Sequence, residues 1–105
     1  MHDSMVQVRS KRGISENEMR SILNIIDRYK GKSEIEFFDS KNGFDLYVSS
    51  VNDGRHIASK ILKVVGGELK ESSKYLRVED GKAIRRITFR VRLKETESKA
   101  KYGFE

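Results

Sequence analysis

The sequence contains no cysteine and no long apolar run, and each absence excludes classes of protein. Without cysteine the chain has no disulfides, no thiolate nucleophiles and no cysteine-based zinc sites, and it suits a reducing cytosol. The apolar runs are only a few residues long, and the start MHDSMVQV lacks the apolar core of a signal peptide. We therefore expect a cytoplasmic protein without a membrane span.

Positive charge exceeds negative charge. The chain has 22 Lys and Arg against 16 Asp and Glu, a net charge of +6 and an isoelectric point near 9.7. Such a surplus favours polyanionic partners such as nucleic acid, although many proteins without such a partner also carry it. With 105 residues the chain is long enough for one domain with a real core.

Two stretches have the three- and four-residue spacing of amphipathic helices. Ser15 and Glu18 form a capping box that starts the first helix, and Gly31 ends it. Its predicted apolar stripe consists of Met19, Ile22, Leu23, Ile26 and Tyr29. The second helix begins near Asn52 and ends at Gly66-Gly67. Its predicted apolar stripe consists of Ile57, Ala58, Ile61, Leu62 and Val65.

Stretches with two-residue alternation predict five strands around these helices. The first covers residues 5–10, and Asn42-Gly43 and Asp80-Gly81 signal the tight turns of two hairpins. The order strand, helix, strand, strand, helix, strand, strand contains a split βαβ unit. We expect an α+β two-layer sandwich over residues 1–94, with a mostly antiparallel sheet and both helices on one face. Residues 95–105 are expected to be a polar tail or linker.

The last predicted strand concentrates positive charge on one side. RRITFRVRLK, residues 85–94, alternates with a period of two, so its apolar side chains point one way. The cationic side chains that point the other way are Arg86, Arg90, Arg92 and Lys94. The same alternation places Arg9 of the first strand on the open face of the sheet. Because cations bind phosphates, this face is a candidate surface for RNA.

Two aromatic residues on the same face leave two interpretations open. Phe38 and Tyr47 could stack on unpaired bases beside the arginines. Alternatively, the rings form a cross-strand pair, and the arginines pair with Glu36 and Asp45. The chain lacks the basic-glycine-aromatic signature of an RNA recognition motif, so we do not expect sequence-specific stacking of bases.

A basic loop, SKRG, precedes the first helix and is a second candidate site. Lys11 and Arg12, together with the free amides at the helix N-terminus, could receive a phosphate. However, Glu16 and Glu18 in the first turn oppose an anion, and a solvated loop of this composition needs no function. Both interpretations of the loop remain open.

The chain shows no pattern typical of catalysis or metal binding. His2 and His56 are far apart, and neither has other metal ligands near it in the sequence. Gly66-Gly67 leads into a strand, whereas a phosphate-binding loop opens a helix, and no serine lies in a nucleophile-elbow pattern. The stretch RSKRGISE also lacks the glycine-rich cradle of acylphosphatases, which have a split βαβ fold. We expect no enzymatic activity, no cofactor, no metal and no small-molecule substrate.

Several segments, taken in order, resemble the central region of the NMD protein three family. They are VQVRS before a helix, NGFDLYVSS before an alanine-bearing helix, LKESSKYL, and a basic strand after EDGK. The similarity spans residues 5–94. The family comprises the large-ribosomal-subunit export adaptor of eukaryotes and its archaeal counterparts. The resemblance implies a domain similar to a ribosomal protein, placed against ribosomal RNA on the intersubunit side of the large subunit.

The chain departs from this family in two ways. It has no N-terminal CxxC zinc motifs, and it ends at Glu105 where family members continue into a further β-rich domain. We therefore expect an excised central domain, with a reduced relative as the alternative. Eukaryotic members add nuclear export signals, and no stretch of this sequence matches one, so the resemblance favours an archaeal-type, cytoplasmic origin.

Three functional hypotheses follow from the sequence. The first is a noncatalytic module that binds the ribosome, with RNA contacts at Arg9, Lys11, Arg12, Arg86, Arg90, Arg92 and Lys94. The second is a protein-interaction or spacer domain that contacts a ribosomal protein or assembly factor without touching RNA. In that case exposed strand edges and the helix face with Arg55, Lys60 and Lys63 matter more. The third is a small-molecule or enzymatic domain of the same topology, which requires a cleft with converging polar groups.

Overall fold

The computed structural model describes residues 3–94, which form seven elements in the predicted order. They are β1 (Ser4–Arg9), α1 (Glu16–Tyr29), β2 (Ile35–Ser40), β3 (Gly43–Val48), α2 (Val51–Val65), β4 (Gly67–Glu79) and β5 (Lys82–Leu93). The predicted α+β class is confirmed. The tail expected at residues 95–105 lies outside the described residues. Neither α1 nor α2 has the length and hydropathy of a membrane-spanning helix.

The five strands form one sheet in the order β2-β3-β1-β5-β4. β1 pairs with β5 in parallel, and the other three pairings are antiparallel, so the expected mostly antiparallel sheet is confirmed. β1 and β2 run in the same direction with β3 between them, which is the split βαβ arrangement.

Both helices pack on one face of the sheet, as predicted. The strand side chains on that face and the inner faces of α1 and α2 form a single buried cluster. Its members are Val6, Val8, Ile22, Ile25, Ile26, Phe44, Leu46, Val48, Ile57, Ala58, Ile61, Val65, Phe89, Val91 and Leu93. The alternation of β1 is also confirmed, because Val6 and Val8 are fully buried while Gln7 and Arg9 lie on the other face. Among residues 3–94 no helix covers that other face, and we call it the open face.

The start of α1 follows the prediction, and its apolar stripe follows it except at residues 23 and 25. Ser15 is the N-cap, and its side chain and that of Glu18 form both bonds of the capping box. Ile25 is 7% exposed and belongs to the core, although the predicted stripe omitted it, whereas Leu23 is 48% exposed and lies outside. The prediction for Leu23 was therefore wrong. The buried set Ile22, Ile25 and Ile26 has i, i+3, i+4 spacing, and Met19 and Tyr29 pack against the same core.

One of the two predicted turns is correct and the other is displaced by one residue. Asp80-Gly81 is a two-residue turn with φ of 49° and 79°, as its sequence signal predicts. In the first hairpin the turn is Lys41-Asn42, because Ser40 pairs with Gly43. Gly43 is the first residue of β3, where an added Cβ would collide with the Val8 carbonyl oxygen, so glycine is required there by close packing of the backbone.

The last hairpin extends beyond the rest of the sheet. The pairing of β1 with β5 ends at Ile87, whereas the pairing of β4 with β5 continues to Glu79 and Lys82. We call residues 74–86 the arm. Its backbone ladder joins only its own two strands, and a bulge interrupts the ladder between Tyr75 and Arg77. None of its side chains belongs to the hydrophobic core or packs against it.

Candidate nucleic-acid interface

The backbone register orders the side chains of the open face into rows across the sheet. Gln7 of β1 lies between Asp45 of β3 and Arg90 of β5. One row further along, Arg9 lies between Gly43 and Arg92. Since side chains on adjacent strands in register share a face, β1 and β5 bring Arg9, Arg90 and Arg92 together as the sequence predicted.

Five cationic residues converge at one end of this face. Together with Ser10 and Asn42 they line an open depression of about 310 Å³. The five are Arg9, Lys11, Lys41, Arg90 and Arg92, and we call the feature the basic depression. Strands β1 and β5, the loop after β1 and the turn of the first hairpin each contribute to it. Its lining, within the described part of the chain, includes no acidic residue, although Asp45 pairs with Arg9 and Glu68 lies opposite Arg92.

Arg9 is held in place by the sheet itself. Its Nη2 donates to Asp45 Oδ1 at 2.7 Å, and its Nη1 donates to the carbonyl oxygens of Phe44 at 2.9 Å and Val8 at 3.0 Å. The pairing of an arginine with Asp45, one of the two interpretations of this face, is therefore present. Arg9 contributes charge to the basic depression, but most of its donors already bind the protein.

Arg90 and Arg92 are the most accessible arginines of the depression. Both side chains are exposed, and Arg90 Nε donates to Gln7 Oε1 at 3.2 Å. This bond orients the Arg90 side chain while using one of its five N–H donors. Arg90 and Arg92 are two residues apart on β5, which is hydrogen-bonded to β1 on one side and to β4 on the other. The sheet therefore fixes the backbone positions from which the two side chains extend.

The two cations predicted together in the SKRG loop lie in different surroundings. Lys11 lines the basic depression. Arg12 instead points toward α1, where its Nη1 and Nη2 donate to the two carboxylate oxygens of Glu18 at 2.8 and 2.7 Å. Its Nε donates to the carbonyl oxygen of Lys94 at 3.0 Å, which ties the loop to the end of β5. The Lys94 side chain is exposed and does not line the depression.

Glu18 is the counterion that keeps Arg12 in this position. Its side chain is 3% exposed and accepts hydrogen bonds from Arg12 and from the Ser15 backbone amide. Hydrogen bonds from the Arg12 guanidinium, aided by those from Ser15 and by the Arg12 charge, outweigh burial and hold the pKa of Glu18 below its usual value. Arg12 thus largely neutralises the Glu18 charge, which would otherwise repel an anion at the N-terminus of α1.

The aromatic residues of the open face form a separate site. The rings of Phe38 and Tyr47 meet edge to face with centroids 5.5 Å apart, so the cross-strand pair considered above is present. The Arg86 guanidinium lies 5.2 Å from the Tyr47 ring centroid. These three residues line a depression with Glu36 and Asp45. Arg86 therefore lies apart from the basic depression, and a base could stack on that face of Tyr47 only by displacing it.

The sequence prediction missed the cationic residues of the first turn and of β4. Lys41, which precedes the predicted Asn42-Gly43 turn, lines the basic depression. Lys70 lies opposite Arg90, and Lys74 lies opposite Arg86, so both lysines share the open side with their partners. Pairing the residues of β4 and β5 outward from the Asp80-Gly81 turn would have identified both lysines if the hairpin were regular. The bulge near Leu76 shifts this register by one residue.

The described residues show no sign of a metal centre. Between residues 3 and 94, no three His, Asp or Glu side chains gather in an arrangement that could hold a metal ion. His56 is an exposed residue of α2, and His2 lies outside the described residues.

Comparison with known proteins agrees with the order of motifs along the chain. A family model described as "NMD3, second domain" matches residues 1–93. No curated protein was found to match the chain. Since the family model covers nearly the whole chain, the resemblance noted from VQVRS to the basic strand is confirmed. The chain therefore belongs to the NMD3 family of ribosome-associated adaptors, which have a role in the biogenesis or export of ribosomal subunits.

Proposed function

We propose that this domain is a noncatalytic module that binds ribosomal RNA of the large subunit and that the basic depression is its main phosphate-binding site. The convergence of Arg90, Arg92, Lys11 and Lys41 in one open depression carries the proposal. The adaptor role of the NMD3 family supplies the context, because an adaptor needs a binding surface and no reacting group. The cytoplasmic location and archaeal-type origin expected from the sequence remain predictions.

Electrostatics favours an extended polyanion over a single small ion in this depression. Gathering several like charges raises the positive potential locally, and that potential attracts and concentrates anions. Arg90 and Arg92 are two residues apart, so their stems are separated by about 7 Å along the strand, given a rise of roughly 3.3 Å per residue. Such spacing lets the two guanidinium groups contact different phosphates of one RNA strand, and arginine is suited to bidentate phosphate binding.

A protein-interaction role is the second candidate, and one feature favours it. β2 is an edge strand, and each of its faces carries a half-exposed ring, Phe37 at 42% and Phe38 at 50% exposure. An edge strand of this kind can add a strand from a ribosomal protein or assembly factor. Binding of that kind changes little with salt, whereas phosphate binding weakens steeply.

The test is cosedimentation of the chain with purified large and small ribosomal subunits at two salt concentrations. We compare the parent chain with Arg90→Glu/Arg92→Glu and with a control, Arg20→Glu/Arg28→Glu, that changes two exposed arginines of α1 by the same charge. The proposal expects salt-sensitive binding of the parent to the large subunit. The variant at residues 90 and 92 should lose roughly tenfold or more in affinity, because two phosphate contacts are removed and repulsion is added.

Three outcomes separate the alternatives. Equal loss in both variants would show that net charge alone matters and would contradict the assignment to the basic depression. Salt-insensitive binding that Arg90→Glu/Arg92→Glu leaves unchanged would favour the edge-strand role of β2. Absence of binding by the parent chain to either subunit would overturn the ribosomal RNA assignment for this domain.

A further inference from the structure

The arm carries different chemistry on its two sides. On β5, residues 82, 84 and 86 continue the alternation that places Arg90 and Arg92 on the open face. Lys74 pairs with Arg86 and Glu79 pairs with Lys82, so these residues share that side. The opposite side carries Tyr75, Val78 and Ala83, with the Arg85 guanidinium 5.9 Å from the Tyr75 ring centroid.

The charged side of the arm is continuous with the basic depression. Seven cationic residues lie along the open side of the β4–β5 hairpin. Arg77 is paired with Glu79, and we call the other six the cationic stripe. They are Lys70, Lys74, Lys82, Arg86, Arg90 and Arg92. From residue 92 to residue 82 the stripe spans about 33 Å, at roughly 3.3 Å per residue. Nearly half of that length lies beyond Ile87, where β1 no longer pairs with β5.

We propose that the arm lies along an RNA helix and that the cationic stripe binds its phosphate backbone beyond the contacts made at the basic depression. This inference rests on the proposed function, because it extends the same RNA-binding surface, and it assigns the arm a partner of its own. The substrate class is structured, double-helical RNA. The residues of the stripe include no aromatic ring on which unpaired bases could stack, and a helix presents its phosphates in a regular row.

The shape of the arm fits a contact along the backbone of RNA. The major groove of A-form RNA is too narrow for protein elements to read base edges, so contacts are made to phosphates and to the wide minor groove. A two-stranded ribbon twists more strongly than a broad sheet, so the cations of the arm and those of the sheet follow a curved path. Such a path can follow a helical backbone, whereas a flat row of charges cannot.

Charge complementarity selects RNA over an acidic protein. The acidic residues on the open side of the hairpin are Glu68 and Glu79, and Glu79 is paired with Arg77 at 2.8 Å. The stripe therefore presents a clear excess of positive charge over its full length. RNA supplies a continuous row of phosphates, whereas an acidic protein surface mixes its carboxylates with other groups.

The first test measures affinity for purified large ribosomal subunits as a function of salt. The arm variant Lys74→Glu/Lys82→Gln is compared with a control, Lys32→Glu/Lys63→Gln, which makes the same substitutions at exposed lysines away from the sheet. The inference expects the arm variant to lose about tenfold in affinity and the slope of log K against log salt to fall by about two, one for each lost phosphate contact. The control should keep the parent slope.

A second variant removes the arm without disturbing the rest of the fold. Replacing residues 75–85 by Asn-Gly leaves Lys74 and Arg86 as the paired residues that flank a two-residue turn. Since the arm contributes nothing to the hydrophobic core, the shortened chain should retain the unfolding midpoint of the parent within a few degrees. Because the shortened chain loses Lys82 but keeps Lys74 and Arg86, its affinity should lie between those of the parent and the charge variant, with the salt slope lowered by about one.

Directed cleavage locates the arm independently of affinity. Because the chain has no cysteine, Glu79→Cys creates one attachment point for an iron–EDTA reagent at the end of the arm, and Lys32→Cys serves as the control. Hydroxyl radicals from the arm position should cut large-subunit RNA in a helical segment on both strands. The control position should give different cuts or none.

The outcomes distinguish this inference from the proposed function. If Arg90→Glu/Arg92→Glu weakens binding while both arm variants bind like the parent, the arm inference is wrong and the basic depression stands. If the arm variants weaken binding and Arg90→Glu/Arg92→Glu does not, the arm is the RNA site and the proposed role of the depression is wrong. Absence of RNA cleavage from residue 79, in a chain that still binds the large subunit, would overturn RNA as the partner of the arm.

Discussion

Arg12 binds Glu18 through two parallel hydrogen bonds of 2.8 and 2.7 Å, and the Glu18 side chain is only 3% exposed. The same carboxylate closes the capping box of α1 by accepting from the Ser15 amide at 3.0 Å. Through the Arg12 bond to the Lys94 carbonyl, this pair links the start of α1 to the end of β5. A loop arginine that resembles a phosphate ligand in the sequence is thus a structural anchor.

The Arg12–Glu18 pair makes stability depend on pH in a defined direction. The pKa of Glu18 is lower in the folded state, so the folded protein favours the charged carboxylate more than the unfolded chain does. The contribution is therefore fully present above the ordinary carboxyl pKa of 4.5 and disappears as pH falls through the lowered value. We expect Glu18→Gln to cost about 2 kcal/mol at pH 7 and progressively less on acidification.

Urea unfolding of the parent and variant at pH 7, 4.5 and 3 measures this effect. Glu16→Gln is the matched control, because Glu16 lies in the same helical turn with a side chain that is 90% exposed. It should change stability by less than about 0.5 kcal/mol at each pH. A stability difference between the parent and Glu18→Gln that does not shrink between pH 7 and pH 3 would contradict the assignment.

Gly54 is required by the packing of α2 against the start of β1. An added Cβ at Gly54 would collide with the Ser4 hydroxyl oxygen and would lie 3.2 Å from Ser4 Cβ. The Ser4 hydroxyl is fully buried and lies 3.1 Å from the Val48 carbonyl oxygen and 3.2 Å from that of Ser50. We expect Gly54→Ala to destabilise the fold by about 1–3 kcal/mol, even though alanine favours helix by about 1 kcal/mol.

A double-mutant cycle with Ser4→Ala tests this contact. Removing the hydroxyl relieves the collision, so the double variant should be more stable than the sum of the two single effects predicts, by about 1 kcal/mol. Thermal or urea unfolding of the four proteins supplies the values. Strict additivity would show that the cost of Gly54→Ala arises elsewhere, for example at the Phe89 ring 3.5 Å away.

Lys41 should bind RNA although no strand pattern marks it. It lines the basic depression from the first hairpin turn, where Asn42 adopts a φ of 65°. If Lys41 contacts one phosphate, Lys41→Gln should lower the salt slope of large-subunit binding by about one. Lys32→Gln, in the loop after α1, is the control and should leave the slope unchanged. Identical slopes for the two variants would remove Lys41 from the interface.

The revised apolar stripe of α1 predicts unequal costs for two neighbouring residues. Ile25 is 7% exposed, so Ile25→Ala should destabilise the fold by about 2–4 kcal/mol through lost burial and a cavity. Leu23 is 48% exposed, so Leu23→Ala should cost less than about 1 kcal/mol. The midpoints of urea unfolding of the two variants, compared with that of the parent, measure the two costs. A larger cost at Leu23 would support the stripe predicted from sequence and contradict the fold.

The sequence was sufficient for features that depend on neighbouring residues. The capping box at Ser15 and the left-handed turn at Asp80-Gly81 follow from residue types at short separations, and both are present. The alternation of β1 and β5 likewise assigned Arg9, Arg90 and Arg92 to the open face, because side chains in a strand change sides at every residue. The α+β order of elements followed from these local periods.

The features that were predicted wrongly, or not predicted, from the sequence depend on contacts between residues far apart in the chain. The bulge near Leu76 changes the register of β4, so the position of Lys70 and Lys74 beside the arginines of β5 was not readable from alternation alone. The burial of Ile25 in place of Leu23 depends on which part of α1 meets α2.

The sequence by itself determined the element types, the turn signals and the side of each strand that carries charge, since these depend on residues a few positions apart. Tertiary structure alone decided which cations act together. It turned Arg12 toward the buried Glu18, placed Arg86 over Tyr47, and brought Lys41 into the basic depression with Arg90. The energy of an electrostatic interaction decreases with the distance between two charges in space, whatever their separation in sequence. Which charges pair is therefore known only from the folded structure.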